Sequence, residues 1–474
     1  MKIARRTLLK SIAGAAAAAA LPVDGHRKPA LAGQSPIVLK AQKGRVPLAR
    51  GLEGAGETDI WGYNGAVPGP TIRCRKGEPV HVRLVNGLDE PTSIHWHGLR
   101  IDNAMDGVIG LTQGPVAPGA SFDYLFTPPD AGTFWYHTHN RAWEQMARGL
   151  YGRLIVEGDD PEDQFDRDLY LALDDWRLDD KGQIETASFG NLHDWAHEGR
   201  LGNWLTVNGT SQPSYGLGRG ERMRLRLLNA ANARTFRLQL KGANAKVIAL
   251  DGAPVEPFAL PEAPYELASG QRVDLAVDVD AGDGGQIELW HVSRREEIKC
   301  ASFPVKAAVL RDRPALRALD HSGGFATPDL ATAVRQDLVM TGGAMGGLRE
   351  AVADGKKRTI QDLVELKRVW ALNGIAGDMD KPLLSVKQGT TVVITMKNDT
   401  AWSHAMHLHG HHFKAVERNG KPVTDGYWRD TEMVDPDQSV ALAFVADNPG
   451  KWFLHCHMLE HQAAGMRTWI NIDT

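Results

Sequence analysis

The sequence predicts an all-β protein built from three related Greek-key β-sandwich domains. Short runs of alternating apolar and polar residues, such as 80–85 and 222–227, are separated by Gly, Pro, Asn and Asp turns, a pattern typical of β-strands. A turn motif also recurs three times along the 474 residues, a length greater than one hydrophobic core normally serves. Together these observations favour three similar sandwiches in one chain.

The recurring motif is an Asn-Gly turn followed by a glycine and, nine residues after that glycine, by an asparagine. Its copies are Asn64, Gly65, Gly77 and Asn86; Asn208, Gly209, Gly220 and Asn229; and Asn373, Gly374, Gly389 and Asn398. Because the spacing holds through a turn and a strand, each copy should form one sandwich. We therefore predict domains at 36–158, 165–308 and 358–474, with the stretch 309–357 as a connector.

The first 32 residues have the composition of an export signal. Arg5 and Arg6 precede an Ala-rich apolar run that ends at Leu21 and is shorter than the roughly 20 residues of a membrane span. The segment resembles a twin-arginine signal, which would carry the folded protein to the periplasm or out of the cell. We leave the cleavage site open and expect no stable membrane association.

Composition excludes several other classes of protein. Apolar residues make up 42% and charged residues 24% of the chain, a balance that excludes a disordered protein. The 54 basic and 58 acidic side chains give a net charge of −4, so no nucleic-acid partner is expected. Three cysteines cannot form a disulfide scaffold, and Cys74 and Cys300 could either pair after export or remain free thiols.

The 18 histidines are arranged in a way that chance does not explain. Random placement would give roughly 0.7 His-x-His pairs, whereas the chain has five. In copies one and three, the two histidines of one pair lie nine and eleven residues after the shared Asn, where copy two has Leu238 and Leu240. Two more pairs begin five residues after Gly132 and Gly450. These four pairs are His95 and His97, His407 and His409, His137 and His139, and His455 and His457. We therefore predict metal binding by the outer copies.

Several other residues near these patterns are interpreted as non-ligands. In the middle copy, Gly285 leads only to Trp290-His291-Val292, so that copy is predicted to hold no metal. The fifth pair, His409 with His411, is interpreted as incidental, and His411 and His412 as local polar residues. Met340 and Met345 could bind Cu(I) but are interpreted as linker side chains, and His193, Asp194 and His197 as surface residues of a loop insertion.

The tripeptide His455-Cys456-His457 can serve two metal sites at once. Alternate side chains of a strand point to opposite faces, so the two histidines share one face and Cys456 lies on the other. On the Cys456 side, His404, His461 and Met466 would complete a thiolate, two-imidazole and thioether set, which is typical of a blue-copper centre. The eight paired histidines must then meet between the first and third domains.

With these motifs, the chain resembles the three-domain multicopper oxidases of the bacterial laccase and cuprous oxidase type. The matching segments are His95-Trp96-His97-Gly98, His137-Thr138-His139, the 404–410 segment and 455–461 with Met466, and the likeness covers nearly the whole chain. It implies cupredoxin-like domains and four copper ions per chain. The type 1 copper would be held by His404, Cys456, His461 and Met466, the type 2 copper by His95 and His407, and the type 3 pair by His97, His137, His139, His409, His455 and His457.

The resemblance also implies a reaction. Electrons from a small-molecule or metal-ion reductant would enter through the edge of His461 or His404, pass through Cys456 and reduce O2 to water in a monomeric enzyme. Asp106 would assist proton delivery, unless it is an exposed loop residue, and Gln462 replaces a Glu that bacterial relatives often have. Aromatic reductants and Cu(I) both remain open as substrates. Cuprous oxidases of this family often carry a Met-rich insert, whereas this chain has 12 Met and no dense run of them, which disfavours Cu(I). The ten ligand histidines disfavour two alternatives, a copper-free scaffold and a nitrite reductase.

Overall fold

The described part of the chain is mostly β-structure, as predicted. The computed structural model describes residues 35–160, 164–282, 284–294, 296–306, 314–320, 324–424 and 426–474; the predicted export signal lies outside them. Within these ranges the chain forms three β-sandwiches, each with its own apolar core. No helix in the same ranges is long and apolar enough to cross a lipid bilayer.

The first sandwich packs two four-stranded sheets. Its elements are β1 (Ile37–Val46), β2 (Thr58–Tyr63), β3 (Gly69–Arg75), β4 (Val80–Asn86), β5 (His95–His97), β6 (Ser121–Phe126), β7 (Gly132–His137), α1 (Ala142–Gln145) and β8 (Tyr151–Glu157). The sheet orders are β2-β1-β4-β6 and β3-β8-β7-β5. The second sheet ends at β5, which places the first His-x-His pair at a sheet edge.

The second sandwich follows the same plan with more strands. Its elements are β9 (Arg167–Trp176), α2 (Leu192–Ala196), β10 (Trp204–Val207), β11 (Leu217–Gly218), β12 (Arg222–Asn229), β13 (Phe236–Lys241), β14 (Ala245–Leu250), β15 (Ala253–Ala259), β16 (Tyr265–Leu267), β17 (Arg272–Asp278), β18 (Gln286–Val292) and β19 (Glu297–Lys306). The sheet orders are β10-β9-β12-β17-β14-β15 and β11-β19-β18-β13-β16.

The third sandwich carries most of the remaining structure. Its elements are β20 (Val334–Gly342), β21 (Glu350–Ala353), β22 (Lys356–Thr359), α3 (Ile360–Glu365), β23 (Trp370–Leu372), β24 (Leu384–Lys387), β25 (Thr391–Asp399), β26 (His404–Leu408), β27 (Phe413–Arg418), β28 (Lys421–Pro422), β29 (Trp428–Arg429), β30 (Thr431–Val434), β31 (Ser439–Val445), β32 (Gly450–Cys456), α4 (Leu459–Ala463) and β33 (Arg467–Asp473). One sheet runs β23-β20-β25-β31-β27-β28 with β29 on β27, the other β24-β33-β32-β26-β30, and β21 and β22 pair separately.

The three copies of the repeated motif have the same local structure. Asn64, Asn208 and Asn373 have φ of 57°, 52° and 50°, and each side-chain oxygen accepts a backbone N–H from the first strand of its own domain. The second asparagine of each copy accepts the N–H two residues on and donates to two backbone carbonyls. The motif therefore reflects one structural requirement met three times: an Asn-Gly turn in the left-handed region and a buried amide that binds a neighbouring loop.

The structure differs from the predicted connector 309–357. Strand β20 lies inside that range, and it pairs in parallel with β25 as β1 pairs with β4 and β9 with β12. Leu338 and Met340 on β20 are fully buried in the core of the third sandwich. The third domain therefore includes β20, and Met340 is a core residue, contrary to its interpretation as a linker side chain.

Two further details concern residues whose roles the sequence left open. Cys74 and Cys300 are free thiols on β3 and β19 of different domains. In the second sandwich, Leu238 pairs with His291, whereas His95 pairs with His137 and His407 with His455. Strand β18 begins at Gln286, as β7 begins at Gly132 and β32 at Gly450, so the correspondence is shifted by one residue from the count that starts at Gly285. His291 therefore occupies the ligand-like position, where its Nδ1 accepts the Arg237 N–H at 3.1 Å.

Candidate metal centres

The first candidate centre is formed by His404, Cys456 and His461. They lie at the start of β26, at the end of β32 and on α4, and all are fully buried. Each imidazole Nδ1 lies 3.8 Å from the Cys456 Sγ, and the two Nδ1 atoms lie 3.1 Å apart. Burial raises the pKa of the Cys456 thiol to about 12 and lowers the pKa of His461 to about 4. A thiolate here needs a cation, and the neutral imidazoles offer their lone pairs to it.

The other nitrogen of each imidazole in this centre is held by a hydrogen bond. The His404 Nε2 donates to the Thr400 hydroxyl at 2.9 Å, and the His461 Nε2 donates to the backbone carbonyl of His197 at 2.6 Å. These bonds fix the ring orientation and direct each Nδ1 toward Cys456. Met466 is fully buried in the same core as Cys456, and its carbonyl accepts the Cys456 N–H at 3.1 Å.

The second candidate centre is a cluster of eight imidazoles between the first and third domains, where the sequence predicted one. Antiparallel pairing of β5 with β7 and of β26 with β32 brings the His-x-His pairs of each domain together. Rings from the two domains then stack, His95 on His409 and His97 on His407, each with centroids 3.7 Å apart. The eight members are His95, His97, His137, His139, His407, His409, His455 and His457, all buried.

The nitrogen atoms of this cluster test whether metal ions fit it. Five buried ring nitrogens have no hydrogen-bond partner among the described residues: the Nε2 atoms of His95, His137, His407 and His457 and the Nδ1 of His97. The opposite nitrogen of each ring is held by a protein oxygen. Burial lowers the pKa of His97 and His137 well below the usual value, so their lone pairs are free. Buried unpaired acceptors are costly, and metal ions would satisfy them.

The convergence of donor atoms indicates more than one metal position. Within the cluster, His139, His409 and His455 place one ligand atom each within 4.8 Å of the others. The sets His95, His97 and His137, and His95, His407 and His409, do the same. Because these sets share residues, their centres lie close together, as in a polynuclear site.

Asp106 contacts histidines from both sides of the cluster. It follows the short 3₁₀ turn Asn103–Met105 and is only 3% exposed. Its two carboxylate oxygens lie 3.1 and 3.0 Å from the His409 Nδ1, and one lies 3.2 Å from the His95 Nδ1. The alternative that Asp106 is an exposed loop residue is therefore wrong.

A second carboxylate, Asp430, lies at the histidine cluster and was not among the site residues predicted from the sequence. Its Oδ1 lies 3.2 Å from the His97 Nε2, and its backbone carbonyl accepts the His407 Nδ1–H at 2.8 Å. Burial opposes its charge, but the Arg272 guanidinium and His97 hold the pKa of Asp430 well below its usual range. Arg272 donates to both carboxylate oxygens at 2.9 and 2.7 Å, and neither side chain is exposed. The ion pair thus positions two cluster histidines.

The middle domain, predicted to hold no ligand, supports the cluster from outside. The His457 Nδ1 lies 3.0 Å from the Ser269 hydroxyl, which donates to the carbonyl of Ala231 at 2.6 Å. The Gln271 amide donates to the carbonyl of Thr431, and Arg272 binds Asp430. A segment of four residues before and at the start of β17 therefore orients ligands of the other two domains, which no local sequence signal indicates.

The loop insertion of the second domain is interpreted as surface from its sequence, but the structure leaves only part of it exposed. His193 is exposed, but Asp194 is buried and pairs with Arg177 at 2.7 Å. His197 is half-buried, and its carbonyl is the acceptor of His461. The insertion therefore covers the thiolate centre. His411 and His412 are buried and bind backbone carbonyls through Nδ1 and Nε2, respectively, and Gln462 is buried on α4.

The fold and the two centres define a β-sandwich protein equipped to bind several transition-metal ions, one through a thiolate. Three family models described as multicopper oxidase match residues 49–161, 167–310 and 352–474. The chain is 30% identical to the multicopper oxidase MmcO of Mycobacterium tuberculosis over 446 residues, covering 86% of this chain and 82% of that protein. The chain belongs to the multicopper oxidase family, which implies copper as the metal.

Solved structures show the same likeness. A multi-copper oxidase from Pseudomonas thermotolerans matches with a TM-score of 0.78 and 34% identity, over 92% of this chain and 99% of that one. Lac15 from a marine microbial metagenome matches with a TM-score of 0.72 and 38% identity, over 92% of this chain and 100% of the other. The cupredoxin-like fold expected from the sequence is thereby confirmed.

Proposed function

We propose that the protein couples the one-electron oxidation of a reductant at the thiolate centre to the four-electron reduction of O2 to water at the histidine cluster. The tripeptide His455-Cys456-His457 carries this proposal, because Cys456 belongs to the first centre and both neighbours to the second. Copper, when bound, supplies the one-electron steps between Cu(I) and Cu(II). Four ions would store the four electrons that O2 requires.

The same residues support a short electron route between the centres. An electron leaving the Cys456 sulfur reaches either flanking imidazole through covalent bonds alone, along the Cys456 side chain, one peptide link and the side chain of the neighbouring histidine. The His455 Nδ1 donates to the Cys456 carbonyl at 2.9 Å, which adds a hydrogen-bonded connection to the covalent one. The oxidation site and the O2 site are thus separate but joined within one strand.

The arrangement supports an assignment of ligands to four coppers. We assign His404, Cys456, His461 and Met466 to the type 1 copper, and His95 and His407 to the type 2 copper. The convergence of His139, His409 and His455 favours these three as ligands of one type 3 copper. The other type 3 copper would then take His97, His137 and His457, whose unpaired nitrogens are buried in the same cluster.

Oxygen uptake by copper-loaded protein tests the proposed function. We expect one O2 consumed for four equivalents of a one-electron phenolic donor, with no accumulation of hydrogen peroxide, because a closed cluster should release only water. The measurement combines an oxygen electrode with a peroxide assay. Protein loaded with Zn2+, which has no redox chemistry, is the matched control. Peroxide in place of water, or no uptake, would contradict the proposal.

Replacing Asp106 by Asn should slow the O2 half-reaction. We propose Asp106 as the proton-delivering residue, because Gln462 cannot supply a proton as an acid would and Asp106 touches His95 and His409. Asn preserves an acceptor for the His409 Nδ1–H but cannot carry a proton. Reoxidation of the fully reduced protein by O2 should fall by about 100-fold, the usual range for losing a positioned acid. Stopped-flow absorbance measures this rate.

The control for this variant is Asp89→Asn, an exposed carboxylate of the same domain. It should reoxidise at the wild-type rate, and both variants should hold the full copper complement by metal analysis. Equal rates for Asp106→Asn and wild type would remove Asp106 from the proton route.

The reductant and the location are part of the proposal. We propose a small aromatic molecule or a metal ion such as Cu(I) as the electron donor. The proposed working form is a monomer, because one chain contains both centres. The proposed export route is the twin-arginine route suggested by Arg5 and Arg6.

A further inference from the structure

One short stretch of chain carries ligands of both proposed type 3 coppers. His137 ends β7, and His139 lies two residues further on; in the proposed assignment each belongs to a different copper of the pair. Only Thr138 separates them. The His137 Nδ1 donates to the Thr138 carbonyl at 2.9 Å, which leaves the His137 Nε2 as the unpaired nitrogen offered to a metal. The conformation of Thr138 therefore governs how these two ligands are placed relative to each other.

The side chain of Thr138 is held by a buried glutamine. Gln145 is the last residue of α1 and is fully buried, as Thr138 is. Its Oε1 accepts the Thr138 hydroxyl at 2.6 Å and the Thr92 hydroxyl at 2.9 Å. Thr92 lies between β4 and β5, three residues before His95. One amide oxygen thus joins the loop of the two type 3 ligands to the segment that leads into another ligand of the cluster.

The other end of the Gln145 amide fixes its orientation. The Nε2 donates to the Glu90 Oε1 at 2.6 Å and to the Pro91 carbonyl at 2.9 Å. Because both of these neighbours are acceptors, the amide nitrogen must face them and the amide oxygen must face the two hydroxyls. The Thr138 hydroxyl also accepts the Asn140 N–H at 3.2 Å. All four hydrogen-bonding positions of the amide are therefore used, and only one arrangement satisfies them.

The backbone turns sharply after His139, which allows Gln145 to fold back onto Thr138. Arg141, directly before α1, has φ 43° and ψ 48°, in the left-handed region that is costly for a residue with a side chain. Its guanidinium donates to the Glu90 carboxylate at 2.9 Å, the same side chain that orients the amide. Strain of this kind persists where the surrounding contacts over-determine the backbone, and it concentrates at functional sites.

We propose that Gln145 is a positioning residue that sets the geometry of the type 3 pair through Thr138. Metal ligands act together only when they are held within about 0.5 Å of the productive geometry. Without the amide oxygen, the Thr138 hydroxyl loses its 2.6 Å acceptor, and the carbonyl that orients His137 is no longer fixed. The inference rests on the proposed ligand assignment and extends it to a residue that binds no metal.

Two substitutions of Thr138 test the proposal on protein saturated with copper. Valine has nearly the shape of threonine but lacks the hydroxyl, whereas serine keeps it. Thr138→Val should retain the type 1 absorption and the copper content of wild type. It should nevertheless lose type 3 absorption and gain a signal in electron paramagnetic resonance, because only a magnetically coupled pair is silent. Thr138→Ser should match wild type in all four measurements.

Gln145→Met should reproduce the spectra of Thr138→Val, and the double variant should be no worse than either single one, because both changes remove the same bond. The control is Gln388→Met, which alters an exposed glutamine of the third domain and should match wild type. If Gln145→Met does not fold, the comparison of valine with serine at Thr138 still decides the proposal.

Oxygen kinetics separates positioning from stability. Thr138→Val should lower kcat/KM for O2 by about ten-fold or more, the usual effect of losing a residue that orients a metal ligand. Anaerobic reduction of the type 1 copper by a phenolic donor should keep its wild-type rate. A lower Tm with intact type 3 signals would assign the hydrogen bond to stability alone and overturn the proposal. If wild type itself shows no type 3 signal at full copper loading, the ligand assignment fails and this inference fails with it.

Discussion

The Cys456→Ser variant should lose both the intense blue absorption and the oxidase activity. The blue colour of such centres depends on a thiolate ligand, and a serine hydroxyl is far less acidic and binds copper weakly here. The electron route between the two centres also begins at the Cys456 sulfur. We expect turnover with any donor to fall by more than about 1000-fold, corresponding to about 4 kcal/mol in the barrier, as measured by oxygen uptake.

The histidine cluster provides the internal control for this variant. Serine is smaller than cysteine but keeps the backbone that positions His455 and His457, so the three remaining coppers should still bind. Metal analysis should therefore give three coppers per chain, with the type 2 signal in electron paramagnetic resonance unchanged. Substantial donor-driven turnover in a protein with this copper content would refute the route through Cys456.

The ligand histidines could be predicted because they repeat. In copies one and three, a His-x-His pair lies at the same distance from the shared Asn. The alternation of side chains along a strand then places Cys456 on the face opposite His455 and His457. These arguments need only local spacing. The structure places all the predicted ligand histidines in two buried centres.

The supporting residues could not be predicted in the same way. Arg272 and Asp430 are 158 residues apart in the chain and belong to different domains, so no spacing rule relates them. Ser269 likewise reaches His457 across 188 residues. Their positions depend on how the second sandwich packs against the other two, which is set by the tertiary structure.

The two sequence predictions that the structure corrects, the connector and the surface loop, also failed for physical reasons. The glycine-rich run from Gly342 to Gly347 is typical of a connector and follows directly on the segment that forms β20, so this segment is assigned to the connector from the sequence alone. In the structure, Leu338 and Met340 alternate with more exposed neighbours, as a strand requires. The loop insertion containing His197 reads as polar surface because a backbone carbonyl, not a side chain, makes its essential contact with His461.

Asp430→Asn should be the most destabilising single polar substitution at the cluster. It leaves the Arg272 guanidinium fully buried with backbone carbonyls and, as its only anionic partner among the described residues, Asp251, whose Oδ1 lies 3.8 Å away. Breaking a buried ion pair by removing one partner typically costs about 3 to 5 kcal/mol. We expect a lower Tm by differential scanning calorimetry, for both copper-free and copper-loaded protein, because the cost is independent of the metal.

Two comparisons separate the charge effect from the positioning effect. Asp337→Asn breaks an exposed pair with Lys397 and should hardly change the Tm, since such pairs contribute little. The double variant Asp430→Asn with Arg272→Met removes both buried charges and should recover much of the lost stability. It should still show an altered type 3 absorption, because His97, assigned to a type 3 copper, loses its carboxylate partner in either variant. An unchanged spectrum in both variants would mean that Asp430 serves stability alone, and an unchanged Tm in the single variant would mean that Asp251 already neutralises Arg272.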